Sequence, residues 1–252
     1  MKNDLAIIIP CYNSEQSIGK CLKSILAQDF HNYDIYVIDD GSQDGTEIEV
    51  KSISDKRIHY YSQSNAGVSA ARNKGIELSL EHDRIMFVDS DDWLEDNALS
   101  VMMEERNCSD YTFCNWNEYK IKNTVLCVEE FKMNKLFAYN VGIDDVRKSL
   151  IRSRSGGSPW GKIFKTSLIE KNDIRFIEGL PYAEDYLFNL TYLQYAKTVK
   201  YIDKPLYAYD CTHIGARAKF RKDIVDILKK VEDVKYSLQY SGGGISESLM
   251  LN

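Results

Sequence analysis

The 252-residue chain lacks an apolar stretch long enough to cross a membrane as a helix, since no window reaches about 18 apolar residues. It also lacks a basic excess, with 32 Lys and Arg against 38 Asp and Glu and a formal net charge of −6. Nucleic-acid-binding proteins usually carry a basic surface, so this balance argues against a nucleic-acid partner. The chain opens on strand-like sequence rather than a secretory signal, which predicts a cytoplasmic location.

The six cysteines have no C-x-x-C spacing and no paired histidines nearby, which predicts reduced thiols rather than disulfides or a zinc site. Several signatures are absent as well. There is no G-x-G-x-x-G, no G-x-x-x-x-G-K-[ST], no G-x-S-x-G and no H-E-x-x-H. These absences remove most of the support for a dinucleotide-dependent dehydrogenase or a P-loop phosphotransferase.

Strand and helix signals alternate through the first hundred residues. Continuous apolar runs predict buried strands at 5–9, 35–38, 58–61 and 85–88. Apolar residues at helical spacing predict helices at 18–26, 46–53 and 68–78. Helices between short buried strands imply right-handed crossovers, and hence an α/β fold with a mostly parallel central sheet and flanking helices.

The rest of the chain is less regular. The strands predicted there are 111–114, 125–128 and 199–202, and the helices are 144–151 and 186–195. Residues 153–159, rich in Ser and Gly, predict a mobile loop. An amphipathic helix is predicted at 222–238, and three roles remain open for it: packing on its own domain, contact with another subunit, or contact with a membrane surface.

Three acids, Asp89, Asp91 and Asp92, directly follow the fourth predicted strand. Carboxylates this close repel one another, and a divalent cation such as Mn²⁺ or Mg²⁺ would relieve the repulsion. The alternative is that an acid here caps the N-terminus of a following helix. Since ligands of open α/β sheets bind beyond the carboxyl ends of the strands, we expect a ligand site at this edge.

Four blocks in the first half, 7–13, 37–42, 65–73 and 87–92, together resemble glycosyltransferase family 2. A looser resemblance extends to about residue 217 and is similar to enzymes that build bacterial capsule, exopolysaccharide or lipopolysaccharide chains. It implies an inverting enzyme of the GT-A fold, a Rossmann-like nucleotide-diphospho-sugar transferase fold. The implied reaction moves a sugar from a nucleotide diphosphate to a saccharide or lipid-linked saccharide acceptor in cell-surface polysaccharide biosynthesis.

The resemblance implies a nucleobase site at the ends of the first two strands. Pro10 and Tyr12 would line the base, with Asn13 beside them, and the Tyr12 ring would be available for stacking. Asp40 would accept a hydrogen bond from N3–H of uracil, which makes a UDP-sugar the expected donor.

The phosphate and metal positions follow from the same resemblance. Arg72 would face the diphosphate, where a guanidinium makes paired charge-assisted bonds. Asp89 and Ser90 would contact the donor, and Asp91, with Asp89, would bind Mn²⁺ or Mg²⁺. The adjacent Asp92 has no single role among the relatives.

Inversion requires a base for the acceptor hydroxyl, and Asp185 matches the base position of the family, with Glu184 as the alternative. Without the resemblance, these two acids read equally well as an acidic helix start. Trp160 and the 153–159 loop are expected near the acceptor, and His213 near the phosphates or the metal.

The predicted organisation is one GT-A domain at 1–217, with a nucleotide-sugar-binding half at 1–110 and an acceptor-binding half at 111–217. Residues 218–252 form the predicted amphipathic helix and a tail; of its three open roles, contact with a membrane surface would place the enzyme at the inner face of the membrane. Two rival classes remain. A sugar nucleotidyltransferase would open with a glycine-rich loop and a basic residue where this chain has 10–13, and a non-catalytic module would bind nucleotide without turnover.

Overall fold

The computed structural model describes residues 3–104, 106–122, 125–131, 142–153, 157–180 and 182–212, together with residues 229 and 232. The predicted C-terminal helix and His213 therefore lie outside the described residues, except that 229 and 232 are helical. Among the described helices, none has both the length and the apolar character needed to cross a membrane.

The described residues form nine strands and seven helices. The strands are β1 Leu5–Cys11, β2 Tyr33–Asp39, β3 Ile58–Ser62, β4 Arg84–Phe87, β5 Trp93–Leu94, β6 Tyr111–Lys122, β7 Val125–Phe131, β8 Lys162–Lys165 and β9 Val199–Asp210. The helices are α1 Ile18–Leu26, α2 Thr46–Ser52, α3 Val68–Ser79, α4 Ala98–Met103, α5 Ile143–Ser153, α6 Thr166–Lys171 and α7 Glu184–Tyr195.

All nine described strands belong to one sheet, in the order β3-β2-β1-β4-β8-β6-β9-β5, with β7 paired to the later part of β6. Strands β1 to β4 are parallel, as predicted. The short strand β8 is antiparallel to both β4 and β6, and β9 is parallel to β6. The described sheet is thus mixed, and its parallel character is confined to the nucleotide half and to the β6–β9 pair. The antiparallel strand β8 joins the two halves into one continuous sheet.

Strand β1 is apolar on both faces because helices cover both sides of the sheet. Its even-numbered residues Ala6 and Ile8 pack with Phe87 and with the apolar residues of α3 and α7. Its odd-numbered residues Ile7 and Ile9 pack against α1 and α4 on the opposite side. A strand buried in this way reads as a continuous apolar run, which is why the sequence revealed it.

The sequence missed the shortest elements. Strands β5 and β8 have two and four residues, and α4 and α6 have six each. Periodicity cannot be recognised over so few residues, and only their sheet partners fix β5 and β8. Strand β1 also continues through Pro10 to Cys11, beyond the point where the sequence predicted its end. Its pairing with β4 stops at Ile8, so the missing N–H of Pro10 does not interrupt that pairing.

Helix α3 approaches β1 unusually closely at Gly75. A Cβ built on Gly75 would lie 2.3 Å from Cγ2 of the fully buried Ile8. Because a core side chain cannot retreat, only glycine lets α3 pack at this distance.

We expect Gly75→Ala to lower the free energy of unfolding by about 1–3 kcal/mol through overpacking. Gly19→Ala, in helix α1, is the matched control. A Cβ at position 19 would meet only the Oε2 atom of Glu49, at an ordinary contact distance of 3.6 Å. That variant should be neutral or gain up to about 1 kcal/mol from helix propensity. Urea denaturation of both variants tests the difference, and equal stabilities would show that α3 does not depend on the close approach.

Candidate active site

Three loops meet beyond the carboxyl ends of β1, β2 and β4. The Asn13 amide N–H donates to Ser42 Oγ at 2.8 Å, and the Gln43 N–H donates to Asn13 Oδ1 at 2.9 Å. The hydroxyls of Ser14 and Ser90 lie 2.8 Å apart. The structure therefore brings together the loops that the sequence predicted to share one ligand site.

The predicted nucleobase residues differ sharply in exposure. Pro10 is buried within β1, whereas the Tyr12 ring is 51% exposed and available to a ligand. Asp40 is only 4% exposed, and both of its oxygens already accept hydrogen bonds. The donors are Gln63 Nε2 at 2.8 Å and the backbone N–H groups of Ala66 at 2.9 Å and Gly67 at 2.7 Å. Asp40 thus holds the loop that leads into α3 through three accepted hydrogen bonds. A carboxylate offers about four acceptor positions, so Asp40 has one left for a further donor.

Asp92 is a buried bridge between the acid cluster and β9. It is 1% exposed and accepts hydrogen bonds from Tyr207 Oη at 2.6 Å and from the Asp210 N–H at 2.8 Å. Burial raises the pKa of Asp92 well above its usual range, and the Asp89 and Asp91 carboxylates add to the increase, while the two hydrogen bonds oppose it. Its contacts are therefore those of a residue that holds the site together.

The helix-capping alternative for the acid cluster is wrong. No helix begins there: Trp93–Leu94 forms β5, and the next helix, α4, starts at Ala98 with Asn97 at its N-cap. Of the three acids, Asp91 is the exposed one.

Arg72 connects the acid cluster to α7. Its side chain is 6% exposed, with Nη2 3.0 Å from Asp89 Oδ1 and Nη1 3.4 Å from Glu184 Oε1. Burial opposes its charge, but the Asp89 and Glu184 carboxylates outweigh burial and raise the pKa of Arg72. Its guanidinium carbon also lies 5.2 Å from the centre of the Phe176 ring. The Nε atom of Arg72 is buried without a hydrogen-bond partner among the described residues, so its N–H group can still donate to a ligand.

Asp185 lies in the first turn of α7. The residue before the helix, Ala183, has φ of 64°, a conformation that is strained for a residue with a Cβ and that turns the chain sharply into the site. Asp185 Oδ1 accepts the Tyr186 N–H at 2.7 Å. Burial raises the pKa of Asp185, an effect that the Tyr186 N–H, Arg72 and Lys162 oppose and Asp89 reinforces. Glu184 and Asp185 both lie in the first turn of α7, which is what the helix-start interpretation predicted.

Sequence reasoning missed Lys162, which is only 3% exposed. Its Nζ donates to the backbone carbonyls of Ser158 and Trp160. Burial lowers the pKa of Lys162 to about 8, although the nearby Cys114 and Asp185 act to raise it. The sequence signal was a lysine within the apolar run around β8, where a charged side chain is rarely buried without a partner.

Trp160 is packed inside the structure rather than presented to solvent. It is 6% exposed and stacks against Tyr207, with ring centres 4.6 Å apart, and against Tyr209, at 5.3 Å. Little of the ring remains to contact an acceptor. Residues 154–156 of the predicted mobile loop lie outside the described residues.

Comparison with known proteins identifies the family. The model of glycosyl transferase family 2 matches residues 6–142, more than half of the chain. The chain belongs to this family. The glycosyltransferase GlyA of Streptococcus pneumoniae serotype 4 is 33% identical over 214 residues, which cover 81% of this chain and 30% of GlyA. The chain therefore spans less than a third of that relative.

Two solved structures show the fold. S. aureus TarS 1–349 in complex with UDP-GlcNAc superposes with a TM-score of 0.78 at 24% identity, covering 98% of this chain and 69% of that one. The mannosyltransferase PcManGT from Pyrobaculum calidifontis, in complex with GDP-Man and Mn²⁺, has a TM-score of 0.58 at 14% identity, covering 96% and 71%. These likenesses confirm the predicted GT-A fold.

The carboxylates of this family 2 domain fit a metal that is shared with a phosphate ligand. Among the described residues, no group of three or more His, Cys, Asp or Glu side chains is arranged around one metal position. Asp92 is committed to Tyr207 and Asp210, and Asp89 to Arg72, which leaves Asp91 at the surface. Mg²⁺ commonly binds through one or two carboxylates plus substrate phosphates and water, so this small donor set fits such an ion.

The hydroxyl of Tyr207 donates to Asp92 and accepts the Asp89 N–H at 3.2 Å. We expect Tyr207→Phe to lower the free energy of unfolding by about 1–3 kcal/mol, because Asp92 stays buried with one donor fewer. Tyr61→Phe, on a ring that is 39% exposed, should change it by less than about 0.5 kcal/mol. Thermal unfolding at neutral pH measures both, and equal melting temperatures would show that the Tyr207–Asp92 bond does not stabilise the site.

Proposed function

We propose that this chain is the catalytic domain of an inverting glycosyltransferase that moves a sugar from a UDP-sugar to a saccharide or lipid-linked saccharide acceptor in cell-surface polysaccharide synthesis. The observation that carries the proposal is the chain of contacts from Asp89 through Arg72 to Glu184, which is adjacent to Asp185. It joins the donor-side acids to a candidate base from the other half of the chain. The TarS structure with UDP-GlcNAc supports a uridine donor.

On the donor side, the exposed Tyr12 ring stacks on the uracil, and Asp40 accepts its N3–H with the remaining acceptor position. Pro10 and Asn13 complete the base-binding loop, which the Asn13–Ser42 hydrogen bond holds in place. A stacked ring together with one directed acceptor gives both affinity and base selectivity.

The diphosphate lies between Asp91, Ser90 and Arg72 on this proposal. Asp91, assisted by Asp89, would hold Mn²⁺ or Mg²⁺, which would supply positive charge to offset the negative charge of the departing diphosphate. The PcManGT structure, in complex with GDP-Man and Mn²⁺, supports a metal ion alongside a nucleotide-sugar donor. The unpartnered Nε of Arg72 is a donor that a phosphate oxygen would satisfy.

Asp185 takes the proton from the acceptor hydroxyl as that oxygen attacks the anomeric carbon. Burial suits this role, because raising the pKa of a carboxylate makes it a stronger base. Arg72 and Lys162 oppose this increase in the Asp185 pKa, which favours the ionised form that accepts a proton. Glu184, paired with Arg72, positions that arginine.

Residues 1–217 form one catalytic domain on this proposal, with donor and acceptor halves meeting near residue 110. One sheet crosses that boundary through β8, which supports a single domain. All six cysteines are free thiols, which fits the proposed cytoplasmic location.

Asp185→Asn should keep UDP binding within about twofold and lower turnover by about 100- to 10,000-fold, the usual contribution of a general base. Calorimetric titration with UDP and Mn²⁺, and UDP release from a panel of UDP-sugars, measure the two effects.

Asp91→Ala should lose metal-dependent UDP binding as well, while the exposed Asp173→Asn control should match the parent.

Full turnover by Asp185→Asn would reject the base assignment. UDP binding without turnover in the parent, on every UDP-sugar and polysaccharide fragment tried, would instead favour a non-catalytic nucleotide-binding module.

The decrease of kcat/KM at acidic pH (the acid limb of its pH profile) tests whether Lys162 lowers the pKa of Asp185. The pKa of Asp185 is raised and its ionised form is the active one, so kcat/KM should fall as pH decreases through the Asp185 pKa. Lys162→Met removes a positive charge that lowers the Asp185 pKa, so the acid limb should move to higher pH. Lys171→Met, at the exposed end of α6, should leave the profile in place. An unshifted limb in Lys162→Met would show that the lysine serves packing alone.

A further inference from the structure

A second cavity lies at the opposite end of the sheet from the candidate active site. It has a volume of about 360 Å³ and lies at the amino end of β4, where Arg84 begins the strand, beside Lys165 at the end of β8. The acid cluster follows the carboxyl end of the same strand. Arg84 and Asp89 are five positions apart in the sequence, which corresponds to roughly 16 Å of extended chain. The cavity is therefore distinct from the proposed donor site.

Arg84 is the feature that suggests a ligand. It lines the cavity and is only 7% exposed, yet its guanidinium makes no hydrogen bond or ion pair with any residue that the structure describes. Burial lowers the pKa of Arg84, and the positive charge of Arg106 adds to the decrease. Tyr192, Asp110 and Asp83 act in the opposite direction and raise it. Since none of the Arg84 nitrogens is among the fully buried atoms of the described residues that lack a partner, the guanidinium faces the cavity, where an anion would offset the cost of holding this charge largely away from water.

Two further cations line the cavity, and each makes only part of its possible contacts. Arg106 Nη1 donates to the Met103 carbonyl at 3.2 Å, and its Nε lies 3.5 Å from Asp4 Oδ2. Lys165 Nζ lies 3.2 Å from Asp110 Oδ1. A guanidinium has five N–H donors and an ammonium three, so both residues retain donors for an oxyanion.

Acids line the same cavity, and they restrict what kind of anion it fits. Glu81, Asp83 and Glu170 are exposed carboxylates at its edge, next to the exposed polar side chains of Asn107 and Ser167. Three carboxylates would repel a polyanion. They are, however, good acceptors for hydroxyl groups, and Asn107 both donates and accepts.

We propose that this cavity is a second binding site, which takes the phosphate ester of a small polyhydroxylated molecule, such as a sugar phosphate. The phosphate contacts the Arg84 guanidinium, assisted by Arg106 and Lys165, because a guanidinium fork matches phosphate oxygens. The hydroxyl groups face the carboxylates and Asn107. The proposal does not depend on the glycosyltransferase activity, since no residue of the candidate active site lines the cavity.

Calorimetric titration with glucose 1-phosphate and with inorganic phosphate tests the proposal on the parent, on Arg84→Met and on the control Arg57→Met. Arg57 pairs with Asp55 and lies outside the cavity. The parent and the control should bind glucose 1-phosphate at least tenfold more tightly than phosphate. Arg84→Met should lose at least tenfold in glucose 1-phosphate affinity while keeping its fold, because it replaces an unpartnered buried charge with an apolar side chain of similar length.

Equal binding by Arg84→Met and the parent would overturn the proposal, since a ligand at the active site would not respond to this change. Equal affinity for phosphate and glucose 1-phosphate would reject the role of the hydroxyl groups. Circular dichroism melting of Arg84→Met confirms that any loss is not unfolding, and the variant should melt no lower than the parent. A tungstate-soaked crystal gives an independent result: the anion should lie against Arg84, and its absence there would also reject the site.

Discussion

The buried arginine at position 72 holds the two halves of the site together. It extends from α3 and contacts Asp89 after β4 and Glu184 at the start of α7, two acids that lie 95 positions apart in the sequence. Removing one partner of such a buried pair typically costs about 3–5 kcal/mol, because the other charge stays buried. Helix α3 can present Arg72 at this point because Gly75 lets it lie directly on β1, and because Asn73 bonds the Phe176 backbone in both directions.

The acid cluster shows how one short sequence divides its charges among different surroundings. Asp89 is neutralised by Arg72, Asp92 is held by Tyr207 and the Asp210 N–H, and Asp91 remains at the surface. Three carboxylates this close would repel strongly in one environment. Giving Asp89 and Asp92 separate partners removes most of that cost, and Asp91 stays exposed to solvent.

The segment before β8 depends on a second buried network. Lys162 donates to the carbonyls of Ser158 and Trp160, and Asn189 Nδ2 donates to the carbonyls of Gly157 and Asp185. Since Asn189 lies one turn after Asp185 on α7, this segment and the helix carrying the candidate base are fixed to each other. These hydrogen bonds give Asp185 a defined position, which its proposed role in proton transfer would require.

The sequence by itself determined the alternation of strands and helices in the first half, the family, and the acids at the strand ends, because buried runs and short polar turns leave local patterns. Only the tertiary structure decided that the sheet is mixed, that Trp160 is packed, that Asp92 bonds Tyr207 and that Lys162 is buried near Asp185. Each of these depends on partners brought together by the folding of the chain, and Asp92 and Tyr207 lie 115 residues apart in the sequence. No local pattern records such a partner, because burial and pairing belong to the folded chain rather than to any segment of it.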